Sequence, residues 1–152
     1  LAQQGGERQP GMRAQGASRS DQAARHFAVA HAGLETAEVN AEMLYAITRR
    51  PELYDRAHGE LFVQNIREAI GEARAHVEHL EPLVQTDRER ERLQRLRERI
   101  AGAQQAAARL QPNLDDVEKL HAQARTLDDE LDRTSDPLER LAASMQVRID
   151  VG

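Results

Sequence analysis

The sequence predicts an all-α protein: an antiparallel, up-down-up-down four-helix bundle with a flexible N-terminal tail and a short C-terminal helical appendage. Three observations predict it. Apolar residues recur at steps of three and four along four long stretches, which places them on one face of an α-helix each time. Two Phe, two Tyr and no Trp leave a core of small and aliphatic side chains, and strand-forming residues are too scattered to build a sheet. The connections between stretches are short and contain Pro, so consecutive helices must run antiparallel.

Residues 1–18 hold four of the nine glycines and no apolar period, and such a segment cannot bury enough surface to offset the entropy of ordering. A flexible tail is expected there, followed by a single helical domain over residues 19–152. Ser20 or Asp21 can cap the first helix, whose seam is Phe27, Ala30, Leu34, Ala37, Ala41, Leu44 and Thr48. Arg49 and Arg50 suit its C-terminal dipole, and Pro51 ends it.

The second helix is expected from as early as Glu52 to about Gln85, with Phe62, Ile66, Ala69, Ala73, Val77, Leu80 and Val84 facing inward and Pro82 near its end. Thr86 or Asp87 caps the third, whose seam is Leu93, Leu96, Ile100, Ala103, Ala107 and Leu110. The fourth begins near Asn113 with Leu114, Val117, Leu120, Ala124, Leu127 and Leu131 as its seam. Residues 134–137 (Thr-Ser-Asp-Pro) then break the chain before a short segment from Leu138 to about Val147. The third and fourth helices also read as an antiparallel coiled-coil hairpin. The third carries four acids and seven Arg between acid-rich neighbours, so interhelix attraction favours this order.

Composition narrows the function classes. A formal net charge of −5 argues against a general affinity for nucleic acid, and no apolar run approaches the roughly 20 residues that span a bilayer. The Arg-rich run from Arg88 to Arg99 is interspersed with acids and lacks aromatics, as a salt-bridged helix surface would. Without cysteine there is no thiolate metal site and no Cys nucleophile. No phosphate loop, nucleophile elbow or catalytic triad spacing is present, so an enzyme is not expected. The opening Leu and the polar stretch after it read as the start of a mature exported, periplasmic protein, with a trimmed or cytoplasmic chain as the alternative. Of 21 basic residues only Lys119 is lysine, as in a GC-rich bacterial genome.

One pattern points to chemistry. Glu60, Gln64, Glu68, Glu72, His76 and His79 form a stripe on the second helix without Arg or Lys, and His31, Glu35, Glu38 and Glu42 form another on the first. His at i and i+3 with a carboxylate one turn earlier can ligate Zn, Cu or Ni. With the pair hinged near residue 51, His31 lies level with residues 70–72 and His26 level with His76. The candidate metal ligands are therefore His76, His79, Glu72 and His31. The competing reading has both stripes solvated and paired to Arg of the third helix.

Glu118 and His121 have the Glu-x-x-His spacing of ferritin-like di-iron bundles, and Asp55 with His58 is a shorter analogue. The third helix offers Gln104, Gln105 and Gln111 where such a centre needs carboxylates, and the long crossover is missing. His121 is therefore expected at the core edge with a hydrogen-bond partner. Two functions of different class follow: a non-catalytic structural or interaction bundle, with a protein partner or a second copy, in the bacterial envelope; or a metal-storing, buffering or sensing bundle.

Overall fold

The computed structural model describes residues 2–149, with side chains from Arg19 onward. Five α-helices follow one another: α1 (Ala2–Thr48), α2 (Arg56–Glu78), α3 (Asp87–Ala108), α4 (Val117–Asp132) and α5 (Ser135–Ser144). Single 3-10 turns at Pro51–Leu53, Glu81–Leu83 and Gln111–Asn113 join the first four, each with its proline in the first turn. There is no strand among the described residues. Among the described residues no helix is long and apolar enough to cross a membrane. Residues 2–18, within the stretch expected as a flexible tail, belong to the backbone of α1, and Leu1 lies outside the described residues. The expected cap at Ser20 or Asp21 is corrected, because α1 is continuous through both.

Paired residues are compatible with an antiparallel course of each neighbour. Across α1 and α2, His26 meets His76 and Asn40 meets Asn65. Across α2 and α3, Arg97 meets Glu78 while Arg74 meets Gln104. Glu130 faces Gly102 across α3 and α4, and His121 meets Thr48 across α4 and α1. The four helices pack into a bundle in which α1 and α3 each touch both α2 and α4, as an up-down-up-down course would have them.

Local chemistry sets the boundaries. Asp55 caps α2 by accepting the Ala57 N–H at 2.9 Å, and Thr86 caps α3 by accepting the Glu89 N–H at 3.1 Å. Glu89 in turn accepts the Gln85 N–H at 2.7 Å, a reciprocal arrangement that leaves its carboxylate buried. Asp116 caps α4, which starts at Val117 and not near Asn113. The second helix likewise starts later and ends earlier than expected, because the 3-10 turns take Pro51–Leu53 and Glu81–Leu83. Buried Thr134 returns its hydroxyl to Leu131 O, and α5 leaves from there to pack on α3, where Arg92 holds Arg140 O at 3.0 Å. Gln146, at φ 58°, closes α5 as the Val147 N–H reaches Ala142 O.

The expected seams of α1, α3 and α4 form the core, with Phe27, Leu44, Leu96, Ile100, Leu110 and Leu127 among its largest fully buried side chains. Three seam residues fall short: Phe62, Val84 and Val117 are only half-buried. On α2 the inward row is Val63, Ile66, Ile70, Ala73 and Val77, so Phe62 covers the edge of the core. Val117 lies at the mouth of α4, where a helix end meets solvent. Close approach of α1 and α2 depends on small residues: a Cβ on Gly33 would lie 2.9 Å from the Ala69 carbonyl oxygen and 3.3 Å from Ala73 Cβ.

Candidate metal centre between α1 and α2

His76 and His79, three residues apart, project from the last turn and C-cap of α2 on one side of the helix. The antiparallel register brings His26 of α1 to the same level. His26 Nδ1 and His76 Nδ1 are 3.0 Å apart, and ring centroids are separated by 5.2 Å (His26–His76), 5.0 Å (His26–His79) and 5.6 Å (His76–His79). One nitrogen from each ring lies within 4.8 Å of the other two. A tetrahedral metal with Zn–N bonds near 2.0–2.1 Å needs nitrogens roughly 3.3 Å apart, so small side-chain rotations complete the geometry.

The electrostatics favour the neutral form of His26. Burial lowers the pKa of His26 below 6.5, and the neighbouring His76, His79 and Arg25 lower it further. A neutral ring keeps a lone pair for a metal. The C-terminal end of α2 also carries the negative end of its dipole, which suits a bound cation.

The other two candidate ligands lie elsewhere. His31 is on the opposite flank of α1, with Nε2 3.1 Å from Glu35 Oε1. Five residues turn an α-helix by about 140° beyond one full turn, so His26 and His31 cannot serve one site. Glu72 sits one turn before His76 but lines the groove beside Ala28, Ala32 and Thr36, outside the three-nitrogen cluster. The available ligand set is His26, His76 and His79. The register that put His26 level with His76 was the signal for it.

The cation-free stripe of α1 does not face that of α2. It faces α4, where Glu38, Glu42 and Asp128 bring carboxylate oxygens within 4.8 Å of one another and Asp132 hydrogen-bonds Glu38. Burial, then the hydrogen bond and charge of Asp132, then Asp128 and Glu42 push the Glu38 carboxyl up to about 7. Asp128 is pushed up to about 6 by burial and by Asp132, Glu42 and Asp129. Carboxylates this close relieve repulsion by retaining a proton, and the hydrogen bond from Glu38 to Asp132 requires one.

The remaining histidines have local partners. His121 Nδ1 meets Thr48 Oγ1 at 2.9 Å and its ring stacks on Tyr45 at 4.2 Å, so it is tied to the core edge as expected. Exposed His58 lies 3.4 Å from Asp55, and among the described residues neither joins a cluster of possible ligands. No family model matches the chain, nor does any curated protein or solved structure at a significant level.

Proposed function

We propose that the protein is a transition-metal-binding helical bundle that takes Zn(II), Cu(II) or Ni(II) on His26, His76 and His79, for storage, buffering or sensing. The observation that supports this reading is the convergence of three imidazole nitrogens from two helices within 4.8 Å. An all-nitrogen set suits these ions over Ca(II) or Mg(II), which prefer oxygen. Three protein ligands leave a fourth position to water or an exchangeable ligand, as a buffer or sensor requires. Calorimetric titration of tag-free protein with zinc or copper should give one equivalent in the wild type and none in His76→Ala/His79→Ala. Equal heats in both proteins, or none in either, would remove the metal reading.

The structural or interaction reading has its own support. Val39, Met43, Leu53 and Leu61 are exposed large apolar side chains, and all belong to the α1–α2 half of the chain. It requires a second copy or a partner to cover them. Sedimentation velocity that shows only monomer up to high concentration would leave self-association without support.

A further inference from the structure

The two ends of the α2–α3 pair are built differently. Near the Glu81–Leu83 turn, Arg97 clamps Glu78 at 2.8 Å and Glu81 at 2.7 Å. Toward the other end a groove of about 630 Å³ opens between the helices. Its floor is Ile70 with Ala107 and Ala108, side chains too short to fill the gap; its rim carries Arg67, Glu60, Glu68, Gln104 and Gln111.

These rim groups are only partly spent. Among the described residues Arg67 is in no ion pair, and Glu68 accepts only the Gln64 amide at 3.1 Å. Gln104 accepts Arg74 on Oε1, which leaves its amide N–H groups to the groove. A cation and carboxylates that are in no ion pair, amide groups and a small apolar floor in one groove match a ligand with both charges, peptide bonds and an aliphatic side chain.

We infer that this groove binds a short zwitterionic peptide, of two or three residues, through Arg67 at its carboxylate and Glu68 or Glu60 at its ammonium. A planar guanidinium takes a carboxylate through two parallel hydrogen bonds. Gln104 and Gln111 pair the peptide amide, and the aliphatic side chain lies on Ile70 and Ala107. The volume lies in the range of small-molecule sites and exceeds what one amino acid fills. The groove shares no residue with the histidine cluster, so the two sites stand or fall separately.

Amide chemical shifts in the full chain test this with the dipeptide leucylalanine, its N-acetyl form and its C-terminal amide. The unmodified dipeptide should move resonances around Arg67, Gln104 and Ala107, and each blocked form should bind about tenfold more weakly or worse. Arg67→Gln should weaken the dipeptide by a similar factor and abolish the advantage of a free carboxylate. Glu68→Gln should reduce the advantage of a free ammonium, and His26→Ala should change nothing. No shifts with millimolar dipeptide, equal binding of all three peptides, or undiminished binding to Arg67→Gln would each overturn the inference.

Discussion

The two flanks of α1 answer the same electrostatic problem in opposite ways. Toward α2, Gly33 lets the helix come close to Ala69 and Ala73, and the polar groups along that seam include the imidazoles, Glu72 and the Asn40–Asn65 pair, whose amides meet at 3.2 Å. Toward α4, Glu38 and Glu42 meet Asp128 and Asp132. Both flanks are without an arginine partner in the sequence stripe. The α2 flank collects three imidazoles whose nitrogens can share a cation, whereas the α4 flank collects acids of which Glu38 and Asp128 hold protons more tightly than usual. Absence of Arg and Lys from a helix face therefore does not identify a metal site; the residues brought opposite that face decide the outcome.

The comparison can be broken at several points. Ile100, fully buried on α3 and remote from both flanks, is the ruler: Ile100→Ala should cost about 2–5 kcal/mol in urea unfolding. A loss under about half a kcal/mol would mean that the α3 seam is misassigned. Gly33→Val should come next, at about 1–3 kcal/mol, since its side chain would be forced into the Ala69 carbonyl. It should also weaken zinc binding, because His26 and His76 depend on the spacing of the same two helices. Unchanged zinc affinity in a folded Gly33→Val protein would uncouple the close approach from the site.

The α4 flank predicts a pH effect. Glu38 and Asp128 have folded-state pKa values above their ordinary ones, so the folded state holds protons that the unfolded chain releases. Their stabilising contribution is full below the ordinary carboxylate range and is lost as pH rises through about 6 for Asp128 and about 7 for Glu38. His26 acts in the other direction: its lowered pKa supports folding above 6.5, and that support is lost as pH falls through its folded value. Glu38→Gln should therefore raise the melting temperature at pH 8, by about 1–3 °C, and have little effect at pH 5. A larger gain at pH 5 than at pH 8 would contradict the shared-proton arrangement.

Much of the fold was legible because helical period and prolines are local signals. Leu93, Leu96, Ile100, Leu120 and Leu127 could be read inward from spacing alone, and Thr86 could be read as a cap from its position before the run. Phe62 was misread because Phe62 and Val63 are both apolar, and only the packing of α2 against its neighbours selects Val63. The site was half legible. His76 and His79 share a helix face by spacing, but the third ligand depends on how α1 is rotated about its axis. His26 and His31 were each at a plausible height; rotation sends His31 to the α4 flank beside Glu35. The acid cluster was visible as a stripe on α1, and its partners Asp128 and Asp132 were hidden by sequence distance.

The most direct test of the account is the melting temperature with excess zinc in two single variants, His26→Ala and His31→Ala. The wild type should rise by roughly 5–10 °C at a zinc concentration about a hundred times its Kd. His31→Ala should show the same rise, and His26→Ala should lose most of it. A full shift in His26→Ala together with its loss in His31→Ala would contradict the assignment of the centre to His26, His76 and His79.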